Sequence, residues 1–164
     1  MVEMHLASVR VEMPTNNPVV LLQESNGDRR TLLIFIGTHE AQAIVEAMQG
    51  TTRPRPMTHE LLRDVLIDLG ASLERVVLTE LVDSVYFAEL HITLGDRTHV
   101  ISSRPSDAMA IAARLGTPIF AEEALLEEAG VVLDEDDDET SSPDELVDQF
   151  HEFIKDVRPE DFST

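Results

Sequence analysis

No cysteine and no tryptophan occur in the chain, and a single tyrosine and six phenylalanines bring the aromatics to only 4%. The missing cysteine excludes disulfides and Cys-based zinc sites, and it fits a reducing compartment. So few aromatic rings supply a base-stacking platform for single strands poorly. Basic residues are scarce too: 12 Lys and Arg stand against 32 Asp and Glu, a net charge of −20. With pI near 4.4, broad electrostatic binding of duplex nucleic acid is excluded unless the few cations cluster. No apolar run approaches a membrane span. The start, Met1-Val2-Glu3-Met4-His5-Leu6, has neither the basic region nor the apolar stretch of a signal peptide. The expectation is a soluble, cytoplasmic protein without membrane contact.

The charge is unevenly placed. Residues 1–116 carry 15 acidic and 10 basic side chains, a net of −5. Residues 117–164 carry 17 and 2, a net of −15. The 43% apolar content suffices for a core, and the length suits one domain with an appendage. We divide the chain into a domain over 1–133, an acidic linker over 134–142, an amphipathic helix over 143–157 and a tail over 158–164. Six consecutive acids, Asp134 to Glu139, repel one another and stay solvated. Ser142-Pro143-Asp144-Glu145 then reads as a capping box with proline at the first helical position. Leu146, Phe150, Phe153, Ile154 and Val157 follow at helical spacing. Such a face must bury against its own domain, a second copy or a protein partner.

Within the domain, Val2 to Met13 alternates as a long strand with a phase break near Ala7-Ser8. Val19–Gln23 and Thr31–Ile36 are strands, joined across Ser25-Asn26-Gly27-Asp28, where Asn-Gly is a strong hairpin signal. Thr38 is placed to cap a helix ending at Gly50, with Ala41, Ile44, Val45 and Met48 on one face. A second helix spans Thr58 to Leu69, with Leu61, Leu62, Val65 and Leu69 as its apolar stripe. Strands follow over 73–82, 85–94 and 97–102, the first two joined at Asp83-Ser84. Then come a helix ended by Gly116, a short strand from Thr117 to Ala121 and a helix from Glu122 to Ala129. Strand groups separated by helices define an α+β class, a mixed or antiparallel sheet packed with helices.

One device is written twice: Arg-Pro, a polar residue, then a helix. The copies are Arg55-Pro56-Met57-Thr58-His59-Glu60-Leu61-Leu62 and Arg104-Pro105-Ser106-Asp107-Ala108. Proline keeps each Arg extended outside the helix, and Thr58 and Ser106 suit the N-cap. Helix starts offer free N–H groups and a positive dipole end to an anion. Arg55, Thr58, Arg104 and Ser106 are therefore phosphate-binding candidates, and Arg53 is placed to converge with Arg55 and Arg104. His59 is a candidate proton-transfer group, because its unperturbed pKa lies near neutrality. Glu60 and Asp107 are candidate catalytic carboxylates. Each has a plain structural alternative: His59 as a packed or capping residue, Glu60 and Asp107 as dipole-compensating charges. His91 and His99 fall within strands and read as structural.

Together with Gly37-Thr38-His39-Glu40-Ala41-Gln42-Ala43-Ile44 and Leu69-Gly70, these two motifs, in this order and spacing, resemble the bacterial bifunctional nuclease domain family over about residues 1 to 133. Two departures occur: Ser84 stands where a glycine is expected after Asp83, and Glu60 where Asp is common. The resemblance implies hydrolysis of phosphodiester bonds in DNA or RNA, the family being associated with both activities. Such chemistry commonly uses Mg²⁺ or Mn²⁺ to activate water and stabilise the departing oxygen. Glu40, Glu60, Asp83 and Asp107 are the metal-ligand candidates, although no spacing joins any two of them. A homodimer is expected, since strands of α+β domains this size often pair across subunits. The alternative is a non-enzymatic regulatory protein, using its anion-binding helix starts and acidic C-terminal helix to engage a partner.

Overall fold

The computed structural model describes residues 1–133; the linker, helix and tail read from the sequence over 134–164 lie outside the described residues. The elements run β1 (Val2–Glu12), β2 (Asn17–Glu24), β3 (Arg30–Phe35), α1 (Thr38–Met48), α2 (Thr58–Asp68), β4 (Ala71–Val82), β5 (Val85–Leu94), β6 (Arg97–Ser103), α3 (Pro105–Leu115), β7 (Ile119–Ala121), α4 (Glu123–Ala129) and β8 (Val131–Val132). All the described strands form one mixed sheet in the order β6-β5-β4-β7-β1-β2-β3-β8. It consists of two antiparallel meanders, β1–β2–β3 and β4–β5–β6. The short β7 joins them, antiparallel to β1 and parallel to β4. This is the α+β arrangement expected from the order of elements, with β8 as an additional edge strand.

Local chemistry explains most of the boundaries. The phase break in β1 is a register shift between Leu6 and Ser8, where an extra residue re-aims the alternation. The β4–β5 turn is a true two-residue hairpin: Val82 pairs with Val85, and Asp83 and Ser84 both take left-handed backbone, at φ 49° and 64°. That is the twist-matched turn that normally selects glycine, here formed without one. The β2–β3 connection is the hairpin expected across Ser25-Asn26-Gly27-Asp28, with Gly27 at a positive φ of 94°. Its ladder stops at Gln23 and Thr31. The Glu24 carboxylate then closes a wider loop by accepting from the Arg30 backbone N–H at 2.8 Å and from Arg30 Nη2 at 2.7 Å.

One face of the sheet carries the core. Val20, Leu22, Leu32, Ile34, Val76, Leu78, Leu90 and Ile92 pack there with Ala41 and Ile44 of α1 and with Leu125 and Leu126 of α4. Each fully buried Leu or Ile contributes about 1.5–3 kcal/mol. At the centre is α3, buried from Ala108 to Ala112 and touching α1, α2, β4 and β5. Its run of alanines permits that close approach from several sides. By contrast α2 rests on α3 and β4 and buries little. Its expected stripe of Leu61, Leu62, Val65 and Leu69 is exposed, because it is Leu66 that turns to the core. Strand β6 is exposed along nearly its whole length.

The sheet is curled. β7, β1 and β2 separate β3 from β4, yet α4 touches both β3 and β4, and the end of β3 shares a depression with the β4–β5 turn. Strand twist accumulates in this way across a sheet. The curl brings residues remote in sequence and in strand order to the N-terminal ends of the helices.

Candidate active site

Three helices begin alike. Their N-caps are Gly37, Met57 and Arg104, each in extended backbone. Thr38 and Thr58 are therefore first helical residues and Ser106 the second, not the caps expected from their side chains. Pro105 holds the first position of α3, where it loses no helical hydrogen bond. In every case the third helical residue is an acid: Glu40, Glu60 and Asp107. A carboxylate suits that place because the first-turn N–H groups and the dipole favour negative charge.

The three acids meet different fates. Glu60 is buried, and its Oε2 accepts the Met57 backbone N–H at 2.8 Å. It stabilises its own helix start, the dipole-compensating alternative read from the sequence, and is not hydrogen-bonded into the His59–Asp107 pair. Asp107 and Glu40 instead meet at Arg104. Asp107 Oδ2 accepts from Arg104 Nε at 2.7 Å and Oδ1 from Nη2 at 3.1 Å, while Glu40 Oε1 accepts from Nη1 at 3.1 Å. The Glu40 carboxylate lies over Gly37, where an added Cβ would come within 2.3 Å of Oε2. Gly37 thus provides the space that lets Glu40 reach Arg104.

His59 completes the chain. Its Nε2 lies 3.0 Å from Asp107 Oδ1, joining two helix starts 48 residues apart. Burial raises the Asp107 pKa, but the hydrogen bonds from Arg104 and His59 outweigh it and hold the carboxyl below its usual range. An ionised carboxylate only accepts, so His59 Nε2 carries the proton, and in the neutral ring Nδ1 keeps a lone pair. The same pairing raises the Arg104 pKa. The result is a continuous series, His59–Asp107–Arg104–Glu40, with a depression at either end. The larger, about 450 Å³, includes Glu40, Arg104 and Ser106, together with Ser84 from the β4–β5 turn. The smaller, about 220 Å³, includes His39, Arg53, Thr58 and His59.

Other sequence candidates stand apart. Arg53 does not converge with Arg104: it pairs with Glu46 of α1, donating from Nε at 3.2 Å. Burial raises the Glu46 pKa, but the hydrogen bonds from Arg53 and Gln42 outweigh it and hold the carboxyl below its usual value. Arg55 is exposed and makes no ion pair among the described residues. His91 bridges Arg75 and Glu89, at 3.2 Å to each, as a structural residue would. Among the described residues no three of His, Asp and Glu are grouped to hold a metal ion. Of the four metal candidates only Glu40 and Asp107 meet, through Arg104; Glu60 caps α2 and Asp83 occupies the β4–β5 turn. Sequence reasoning missed Gly37 and the aromatic lining of the larger depression. The signal for Gly37 was the acid three residues after it, repeated at all three helix starts.

Helix starts that converge on a His–Asp–Arg–Glu series, carried by a curled mixed sheet, define an α+β domain with a polar, charge-paired site. The family model of the bifunctional nuclease domain matches residues 20–134, and the chain belongs to that family. An uncharacterized protein of Mycobacterium tuberculosis is 44% identical over 163 residues, covering 98% of this chain and 97% of its own. Bifunctional nuclease 2 of Arabidopsis thaliana is 30% identical over 103 residues, 61% of this chain and 31% of its own length. Bifunctional nuclease 2 of Oryza sativa subsp. japonica is 26% identical over 117 residues, 70% of this chain and 36% of its own. The plant proteins therefore share one domain's length with this chain. No described helix is long and apolar enough to cross a membrane.

Proposed function

We propose that the chain hydrolyses phosphodiester bonds of nucleic acid at the His59–Asp107–Arg104 series. The observation that carries this reading is the shared carboxylate: Asp107 holds both an imidazole and a guanidinium, from helices far apart in sequence. Asp107 orients the ring and stabilises the imidazolium that forms. His59 Nδ1 takes a proton from the attacking water. The new bond joins water oxygen to phosphorus, the ester P–O bond breaks, and the departing oxygen takes a proton from solvent. Arg104, whose side chain is 66% exposed, balances charge on the phosphoryl oxygens. Family membership and the names of the plant relatives support the same reading.

A divalent cation, Mg²⁺ or Mn²⁺, forms part of the proposal. Two carboxylates face one guanidinium here, a local charge of −1 with His59 neutral, and a phosphodiester adds another negative charge. Glu40 and Asp107 are the carboxylates that would hold the cation, which would supply charge neutralisation at the phosphate. Glu60 and Asp83 have no part in it.

The test is cleavage of labelled single-stranded and duplex DNA and RNA by purified protein, with Mg²⁺, Mn²⁺ or EDTA. His59→Ala and Asp107→Asn proteins, prepared identically, run beside it. Cleavage that both substitutions abolish establishes the enzyme and its site; equal cleavage in all three proteins refutes the assignment. A second reading, a regulatory protein that engages a partner without cleaving, is favoured by charge: Arg53 and Arg104 are both already paired with carboxylates. Absence of cleavage from every preparation, with full folding, would select it.

A further inference from the structure

We propose that the larger depression beside Arg104 is a nucleobase subsite, and that the substrate is consequently a single strand or an unpaired nucleotide. This rests on the hydrolase reading and adds to it the part of the substrate next to the scissile phosphate.

The walls of the depression carry the argument. Phe35, at the end of β3, and Tyr86, in β5, both line it, beside the apolar Ile36 and Val85. Phe35 is 56% exposed although it is a large apolar ring. Strand order keeps β3 and β5 far apart, and only the curl of the sheet brings the two rings to one cavity. Its volume, about 450 Å³, falls within the range of small-molecule sites, which combine apolar walls with a few polar groups. Those groups are here: the hydroxyls of Ser84 and Ser106 and the carboxylate of Glu40 meet the hydrogen-bonding needs of a base edge.

Charge orients the occupant. Arg104 stands at one wall and belongs to the hydrolytic series. At the Tyr86 wall the nearby charge is that of Glu128, which, after burial, helps hold the phenol protonated. Among the described residues Arg104 is the one cation lining the depression, and with the proposed divalent ion offsetting Glu40 and Asp107 it is the side that can hold a phosphate, which leaves the rings for the neutral base. The net charge of −20 points the same way. With few phosphate contacts available, affinity has to come from contact with a base. A base paired within a duplex cannot enter such a cavity without leaving the stack.

The chain supplies its own reporter. Tyr86 is the only tyrosine and there is no tryptophan, so tyrosine emission reports on this depression alone. We would titrate 5′-AMP, adenosine and ribose 5-phosphate into the full chain and into Phe35→Ala, following absorbance-corrected emission. Phe35 is largely exposed, so its truncation leaves the core intact. The expected result is saturable quenching by AMP, weaker quenching by adenosine, none by ribose 5-phosphate, and about tenfold weaker AMP binding by Phe35→Ala. Unchanged Tyr86 emission with AMP, or equal affinity in Phe35→Ala, would overturn the subsite. The two readings fail separately. Asp107-dependent cleavage without a Tyr86 response keeps the hydrolase and removes the subsite. AMP binding that needs Phe35, without cleavage of any substrate, keeps the subsite and removes the hydrolase.

Discussion

Asp107→Asn is the substitution that reaches furthest into this site. It keeps the side chain's shape and removes its charge. In the folded protein Asp107 accepts two hydrogen bonds from Arg104 and one from His59. A charged hydrogen bond is worth about 1.5–3 kcal/mol when shielded. The Arg104 side chain is 66% exposed, so its bonds fall nearer the ~0.2–1 kcal/mol of a surface pair. The His59 side chain is only 17% exposed, and its bond counts for more. The position at the third residue of α3 adds about 0.3–1 kcal/mol through the helix dipole. Asn retains one acceptor oxygen, so the net cost is about 1–2 kcal/mol at pH 7. At roughly 3–5 °C per kcal/mol for a domain of this size, thermal unfolding followed by circular dichroism resolves it.

The pH dependence has a defined sign. The folded pKa of Asp107 lies below its unfolded value. Its contribution is therefore fully present above the ordinary aspartate range, about pH 4, and is lost as pH falls through the folded pKa. The stability gap between wild type and Asp107→Asn should shrink on acidification below about pH 4. Cleavage should fall far more than stability, by on the order of 10³-fold, because a neutral partner no longer fixes the imidazole proton on Nε2 or stabilises the imidazolium. An Asp107→Asn protein as stable and as active as wild type, with a gap that does not close in acid, would refute the reasoning.

Further outcomes follow from the same geometry. Gly37→Ala should fold with a stability change under about 1 kcal/mol, since the new Cβ meets only the movable end of Glu40; its cleavage rate should match that of Glu40→Gln, which paired kinetics would check. Glu60→Ala should lower stability by about 1–2 kcal/mol, because the Met57 N–H loses its partner beside a buried side chain; Glu60→Gln should recover most of that loss, and both should cleave at the wild-type rate once folded. Ser84→Gly should raise stability by about 1 kcal/mol, because glycine takes φ near 64° without steric cost; a denaturant titration with unchanged m-value would show it.

The sequence by itself determined what local stereochemistry decides. The bulge in β1 was legible at Ala7-Ser8, because an extra residue reverses the alternation of side chains. Proline at the start of α3 and Gly116 at its end marked that helix from both sides, and Gly116 takes the left-handed backbone expected of a helix stop. The family motifs were likewise contiguous. What the tertiary structure alone decided was which of several locally equivalent residues would do chemistry. Glu40, Glu60 and Asp107 occupy the same third helical position, so the helix dipole acts on each in the same way. Asp107 joins His59 and Arg104 because α2 docks its first turn against the start of α3, whereas Glu60 folds back on its own cap. The exposed stripe of α2 has the same origin: helical spacing defines an apolar face, but only packing decides whether anything covers it. The presence of Phe35 and Tyr86 at one depression depended on strand order and sheet curl, which arise from long-range pairing and leave no periodic trace along the chain.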